Sequence, residues 1–277
     1  MNSTVNLRVA FATPHNPCAE FAIGLNPARA TEAQMIQCLS QGVLYEQFTS
    51  WVVISLLRPG DIAVDVGAHV GFYTLLMRSL VGASGAVRAA EPERDSYMAL
   101  LGNMARNGFG DIATIPSAIS DRAGRAAFVQ DTNNEGESRL ATLADSSSLR
   151  VTTTTLDQWL QDLPRPARLL KLDAEGCELH ILNGATEFFA RQAPGAVICE
   201  INPTALNRYG ASSDGLRLRF REWGYSCYLI NVAAKGRYDL CDGAILKPLL
   251  DDERVDTNAV YNLLFCSPGV VPAGLGV

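Results

Sequence analysis

Paired cysteines, basic runs and long apolar segments are all absent from the sequence, and each absence narrows the class of protein. The seven cysteines are an odd number and none forms a C-x-x-C pair, so neither a disulfide framework nor a paired-cysteine metal site is predicted. Several lie within apolar runs, which favours buried thiols in a reducing compartment. No basic run indicates a nucleic-acid partner, and the net charge is −6.

The N-terminus has no basic region followed by an apolar stretch, so no secretory signal is predicted. No apolar run approaches the roughly 20 residues that a membrane helix needs. We therefore expect a cytoplasmic protein with no membrane span and no nucleic-acid partner, while self-association into a homo-oligomer stays open. At 277 residues, 48% of them hydrophobic, the chain is long enough for one elaborated domain with a short extension.

Residues 1–58 are predicted to form an N-terminal helical extension. Residues 31–34 have the form of a capping box and predict a helix that ends at Gly42. Apolar residues at helical spacing predict a second helix over residues 48–56. These helices either pack on the core or form a lid over a pocket. The main domain is expected over residues 59–277.

From Ile62 onwards, short apolar runs alternate with helical segments, which predicts an α/β fold with a parallel sheet and right-handed crossovers. Residues 225–230 and 259–266 read as two more strands, expected to pair antiparallel. Between the third and fourth parallel strands lies an insert at about 124–156, with a polar stretch at 131–148 that we expect to be mobile. The predicted parallel strands are Ile62–Val66, Ala86–Ala90, Ala113–Ser117, Leu169–Leu172 and Ala196–Glu200.

A glycine-containing turn follows the first of these strands. Asp65, Gly67, His69 and Gly71 lie in the segment DVGAHVG. Glycines permit a tight turn and let a ligand approach the backbone closely. Ligands of open α/β sheets bind at the carboxyl ends of the strands, where this turn lies. A glycine at a strand–helix turn can equally be purely structural.

A carboxylate, Glu91, follows the second strand in the pair Glu91-Pro92. At this place it can accept hydrogen bonds from the ribose hydroxyls of a nucleoside cofactor. NAD requires G-x-G-x-x-G around its pyrophosphate, but here His69 stands where the second glycine would be. S-adenosylmethionine (SAM) has no phosphate and carries a cationic sulfonium, which suits Asp65 better. An NAD-linked Rossmann oxidoreductase remains the alternative.

Three acids, Asp173, Glu175 and Glu178, follow the fourth strand. Carboxylates at the cofactor edge of the sheet can orient a hydroxyl, act as a base or hold a metal ion. The competing interpretation is that Asp173 and Glu175 cap the next helix, which the helix dipole favours.

Taken together, these segments resemble the FkbM-type methyltransferases over about residues 46–205. The resemblance implies a class I, Rossmann-like fold with a seven-stranded, mostly parallel sheet in the order 3-2-1-4-5-7-6. It also implies O-methylation of a hydroxyl on a natural product, sugar or lipid, with SAM as donor and S-adenosylhomocysteine (SAH) as product. One departure is His69, where the family usually has asparagine. The matching segments are Val64–Thr74, Ala90–Pro92, Ala118–Asp121, Leu170–Glu178 and Gly184-Ala185.

The resemblance also assigns roles by matching position. Glu91 is expected to hold the ribose, residues 117–119 to flank the adenine, and Asp173 to face the methyl-transfer centre. Glu200, after the fifth strand, adds a second acid at the same rim. The expected catalytic residues are Asp173, Glu200 and His69. The expected cofactor-binding residues are Asp65, Gly67, His69, Gly71, Phe72, Glu91, Pro92, Ser117, Ala118, Ile119 and Asp173.

The expected mechanism is direct in-line transfer to a small-molecule or glycan hydroxyl, helped by orientation and by a base. No metal site is predicted, because Asp173 and Glu200 lack a histidine-containing ligand cluster around them. A non-catalytic binding module with this fold and a nitrogen acceptor both stay open.

Overall fold

The computed structural model describes residues 4–13, 15–16, 18–131, 134–146, 149–231, 244–253, 255 and 259–270. The chain begins with an antiparallel hairpin, β1 (Val5–Phe11) and β2 (Ala19–Leu25), followed by α1 (Ala30–Ser40) and α2 (Gln47–Leu56). The prediction of a helical extension over residues 1–58 is wrong for its first half, which forms an antiparallel hairpin.

The main domain follows the predicted alternation of strands and helices. Its strands are β3 (Ile62–Val66), β4 (Ala86–Ala90), β5 (Ala113–Ile115), β6 (Ser117–Ile119), β7 (Gly124–Val129), β8 (Arg139–Leu140), β9 (Arg150–Thr154), β10 (Leu169–Leu172), β11 (Ala196–Ile201), β12 (Ser226–Ile230), β13 (Leu246–Pro248) and β14 (Tyr261–Cys266). Its helices are α3 (Phe72–Val81), α4 (Arg94–Arg106), α5 (Leu156–Trp159), α6 (Glu178–Asn183), α7 (Thr186–Gln192), α8 (Pro203–Arg208) and α9 (Ser213–Glu222).

In the described part of the chain, the main sheet has eight strands in the order β5-β4-β3-β10-β11-β14-β12-β13. Its first seven places reproduce the expected 3-2-1-4-5-7-6 order, and β13 adds an unpredicted strand at the edge. β14 runs antiparallel to β11 and β12, which confirms the antiparallel C-terminal pair. The central strands β3 and β10 are buried throughout, as expected for parallel strands covered by helices on both faces.

The third strand ends at Ile115 rather than at Ser117. Pro116 follows it, and proline cannot donate to a strand ladder. Ser117 instead begins β6, which belongs to a separate sheet in the order β6-β9-β7-β8. In the stretch expected to be mobile, residues 132, 133, 147 and 148 lie outside the described residues. The described remainder contains β8 and a 3-10 turn at Glu135–Glu137.

The hairpin is fixed to the main domain by α4. Asn103 accepts a hydrogen bond from the amide of Gly24 at 2.8 Å, and Asn107 accepts one from the amide of Ala22 at 2.7 Å. The expected capping box at residues 31–34 is wrong, because α1 begins at Ala30 and Thr31 is inside it. The Thr31 hydroxyl instead bonds to Asn134 of the insert at 3.1 Å.

Within the described residues, no helix is both long enough and apolar enough to cross a membrane. Six of the cysteines are described and all are free thiols, while Cys241 lies outside the described residues. Cys177, Cys199 and Cys266 are buried, as predicted. Cys18 is exposed, contrary to the prediction, because it precedes β2 in the hairpin loop.

Candidate active site

A cavity of about 920 Å³ lies at the carboxyl ends of the central strands. This volume suits a nucleoside cofactor together with a small acceptor. The first part of α2, α1 and the insert sheet contribute to its walls. The predicted site residues that line it are Asp65, Gly67, His69, Phe72, Glu91, Pro92, Ser117, Ala118, Ile119, Asp173 and Glu200. Of the predicted set, Gly71 is the one outside this lining.

Gly67 and Gly71 are each required to be glycine, but for different structural reasons. Gly67 has φ +80°, and a Cβ built on it would lie 1.7 Å from the backbone oxygen of Asp173. Glycine is therefore required where the turn after β3 meets the end of β10. Gly71 has φ +96°, and its Cβ would meet Leu100 of α4 at 2.5 Å. That packing and the left-handed turn account for Gly71, rather than a place in the cavity.

Asp65 is buried within β3, where its Oδ2 accepts a hydrogen bond of 2.6 Å from the hydroxyl of Thr74. Its other oxygen, Oδ1, is buried and has no hydrogen-bond partner among the described residues. Burial raises the pKa of this carboxyl, against the opposing effect of Lys171. An orphaned carboxylate oxygen in the wall of a cavity is a natural partner for a positively charged ligand group.

Glu91 is buried, and two backbone amides hold its carboxylate. Oε2 accepts from the amide of His69 at 2.8 Å, and Oε1 accepts from the amide of Glu93 at 2.7 Å. His69 has φ +49°, so its left-handed conformation directs the main chain towards Glu91. Burial raises the pKa of Glu91 to about 8, although both amides oppose the rise.

The expected adenine-side residues come from β6, at the junction of the two sheets. Ala118 and Ile119 are buried and line the cavity. Ser117 also lines it, but its hydroxyl is 2.6 Å from that of Thr152 in β9. The insert sheet therefore fixes this wall of the cavity.

Asp173 does not cap α6, so the interpretation of Asp173 as a helix cap is ruled out. The residue at the helix N-cap is Cys177, with no side-chain cap. The backbone amides before α6 instead donate to Glu178, whose Oε1 accepts from the amide of Ala174 at 2.9 Å and from that of Gly176 at 3.2 Å. Burial raises the pKa of Glu178 to about 7. The Asp173 carboxylate accepts a hydrogen bond of 2.6 Å from Nζ of Lys171.

Three carboxylates, Asp173, Glu175 and Glu200, have oxygens within 4.8 Å of one another. Burial raises the pKa of Glu175 to about 9 and that of Glu200 well above its usual range, and the charge of Asp173 adds to both shifts. Oxygen ligands in this arrangement can hold a divalent cation. They can equally accept hydrogen bonds from hydroxyl or ammonium groups.

Glu46 and Lys171 line the cavity but were not predicted from the sequence. Glu46 precedes α2 with φ +44° and accepts a hydrogen bond of 2.8 Å from the hydroxyl of Tyr73. Burial raises the pKa of Glu46. Nothing in the local pattern indicates Glu46, but a lysine between leucines in the buried strand β10 was a usable signal for Lys171.

The N-terminal helix and the insert meet over the cavity. Arg29 pairs with Glu32 and Glu93, each at 3.3 Å, and Gln130 of the insert donates to Glu93 at 3.0 Å. The amide of Glu93 also donates a hydrogen bond to the carboxylate of Glu91. The contacts that Arg29 and Gln130 make with Glu93 are therefore connected to the proposed ribose site.

A family model described as the methyltransferase FkbM domain matches residues 65–227, which is more than half of the chain. The chain belongs to the FkbM methyltransferase family. It is therefore a SAM-dependent methyltransferase, which decides between SAM and NAD in favour of SAM. No protein with a curated description matches the sequence significantly.

Similar solved structures include a methyltransferase FkbM, a SAM-dependent O-methyltransferase and a fibrillarin with bound SAM. The methyltransferase FkbM of Methylobacillus flagellatus is 15% identical with a TM-score of 0.46, over 85% of this chain and 59% of that one. A SAM-dependent O-methyltransferase of Thermotoga maritima is 12% identical with a TM-score of 0.43, over 96% and 93%. Fibrillarin of Aeropyrum pernix, with bound SAM, is 11% identical with a TM-score of 0.41, over 89% and 78%.

Proposed function

We propose that this FkbM methyltransferase methylates a hydroxyl oxygen of a natural product, sugar or lipid, as a cytoplasmic enzyme. The observation that carries the proposal is the Asp173 carboxylate, which is 24% exposed in the cavity and is not used as a helix cap. A carboxylate at the carboxyl edge of β10 can accept the proton of an acceptor hydroxyl.

The residues of the cavity fit SAM. Oδ1 of Asp65 is a buried acceptor without a partner among the described residues, and it suits a cationic group of the cofactor. Glu91 is held by two amides, and we propose that it accepts hydrogen bonds from the ribose hydroxyls. When bound, SAM supplies a methyl group activated by the positive sulfonium.

The chain contributes orientation and proton acceptance to the reaction. We propose that Asp173 aligns the acceptor oxygen and takes its proton as the oxygen–carbon bond forms. Holding two reactants in line supplies much of the rate of such transfers. Glu200 lies beside Asp173 and is the second candidate. His69 is a weaker one, because its main chain is tied to Glu91.

The carboxyl-rich lining of the cavity favours a neutral or cationic acceptor over a phosphodiester, because the carboxyl groups with a raised pKa add no positive charge even when they are protonated. Its lining has seven carboxylates among the described residues, against the cations Lys171 and Arg139. Arg139 is paired with Asp145 at 2.8 Å, and Lys171 with Asp173. The carboxylates are Glu46, Asp65, Glu91, Glu137, Asp173, Glu175 and Glu200.

We expect the affinity for SAH to rise with pH between 6 and 8 and to level off above pH 8. The pKa of Glu91 in the free protein is raised to about 8, whereas ribose hydroxyls donate to its ionised form. Binding therefore releases a proton below pH 8, so a higher pH strengthens it. Calorimetry on Glu91→Gln should show a weaker and flatter pH dependence, with a loss of about 1.5–3 kcal/mol at pH 8.

Glu20→Gln is the matched control, because Glu20 forms an exposed pair with Arg8. Its SAH affinity should follow that of the wild type at every pH. If Glu91→Gln keeps the wild-type affinity and slope, Glu91 does not hold the ribose.

The acceptor atom is tested with SAM carrying a ¹³C-labelled methyl group and a panel of acceptors. The panel contains methyl glycosides, catechols, hydroxylated lipids, amines and a short RNA. We expect a new O-methyl carbon signal with a hydroxyl compound and none with the RNA. An N-methyl signal from an amine would move the reaction to nitrogen. SAM binding with no transfer to any member would favour a non-catalytic binding module.

A further inference from the structure

Lys171 is a charged residue in the middle of a central strand. It is 2% exposed and lies between Leu170 and Leu172 in β10. Its neighbour across the ladder in β3 is Asp65. Burying a charged group has a large free-energy cost unless the group is paired with an opposite charge. The group that pairs with the Lys171 ammonium therefore indicates the role of this lysine.

The ammonium group of Lys171 pairs with Asp173, which directly follows the last residue of β10. Nζ of Lys171 lies 2.6 Å from Oδ2 of Asp173 and 4.5 Å from the centre of the Tyr73 ring. The Tyr73 hydroxyl in turn donates to Glu46. Asp65, although adjacent in the ladder, uses Oδ2 for Thr74. The ammonium group is therefore held between a ring face and one carboxylate oxygen.

This contact leaves the other oxygen of Asp173 available. Among the described residues, Oδ1 of Asp173 accepts no hydrogen bond, while the side chain is 24% exposed in the cavity. An aspartate at a strand end, without such a contact, can turn between rotamers. Lys171 thus fixes one oxygen and leaves the second for the cavity.

Lys171 is unsuited to being a base itself. Burial alone would lower its pKa, but Asp173, Glu46 and Asp65 together raise it above its ordinary value. The group therefore stays protonated and acts only as a cation.

We propose that Lys171 is a positioning residue, which orients the Asp173 carboxylate towards the methyl acceptor by holding one of its oxygens. The proposal rests on the proposed role of Asp173 as the residue that aligns the acceptor.

The experiment is a crystal structure of each variant with SAH, which needs no acceptor. In the wild type, the Asp173 carboxylate should occupy one rotamer, with one oxygen on Lys171. Lys171→Met removes this contact, so Asp173 should occupy a different rotamer or more than one. Lys171→Arg keeps the charge and a donor, so it should keep the wild-type rotamer.

Lys247→Met is the control, because Lys247 pairs with Glu253 on the surface and should leave the Asp173 rotamer unchanged. If Lys171→Met does not fold, Tyr73→Leu replaces it, since this variant keeps Lys171 but removes the ring beside its ammonium group. A partial loss of the wild-type rotamer is then expected. A single, unchanged Asp173 rotamer would overturn the positioning role.

The experiments distinguish the two proposals. A changed Asp173 rotamer in Lys171→Met together with full turnover of Asp173→Asn would contradict only the catalytic role of Asp173. An unchanged rotamer together with slow turnover of Asp173→Asn would contradict only the role of Lys171.

Discussion

Asp173→Asn should lower turnover by about 100- to 10,000-fold, the usual contribution of a general base, with little change in SAH affinity. Asparagine keeps the shape of the side chain but cannot take the acceptor proton. Because the contribution arises in the transition state, it should appear in kcat rather than in cofactor binding. Turnover is measured with the acceptor found in the labelled-methyl panel, and binding by calorimetry.

Asp162→Asn is the matched control for this variant. Asp162 forms a surface pair with Arg88 at 2.6 Å, and its loss should leave turnover unchanged. If Asp173→Asn retained most of the activity, the role of base would move to Glu200 or His69. Helix capping would not explain such a result, because Asp173 caps no helix here.

Gly67→Ala should lower the free energy of unfolding by about 3 kcal/mol or more. The new Cβ would lie 1.7 Å from the backbone oxygen of Asp173 in a residue with φ +80°. Relief requires the turn after β3 to move away from the end of β10, which separates Asp65 from Asp173. SAH affinity should therefore fall as well. Urea unfolding and calorimetry measure the two effects.

Gly82→Ala separates the clash from the backbone conformation. Gly82 has φ +63°, but a Cβ there would meet nothing within 4 Å. Its substitution should cost only the strain of this backbone conformation, with φ +63° and ψ −172°, which is about 1–3 kcal/mol. Equal losses of unfolding free energy in the two variants would show that the close approach at Gly67 does not matter.

The central strands were predictable because parallel strands buried on both faces read as short apolar runs. β3, β4 and β10 have the bounds that the sequence predicts. The N-terminal hairpin was harder to predict than the central strands. The hairpin was missed although Phe21, Ile23 and Leu25 alternate towards the core, because this pattern is short and lies outside the region of family resemblance.

The predicted site residues, apart from Gly71, line one cavity because strand ends converge at one edge of the sheet. Glu91 and Asp173 directly follow strands, so their neighbourhood follows from topology. Glu46 could not be found in this way, since it reaches the cavity through the packing of α2 on α3. Ser117 was placed correctly at the cavity but in the wrong strand, because its pairing with Thr152 is a tertiary contact.

A crystal structure of the SAH complex tests the central claim most directly. We predict that the ribose hydroxyls lie within hydrogen-bond distance of the Glu91 carboxylate and that the sulfur faces Asp173. The adenine should lie against residues 117–119. A nucleoside bound elsewhere, or a sulfur directed away from Asp173, would contradict the assignment of this cavity as the methyl-transfer site.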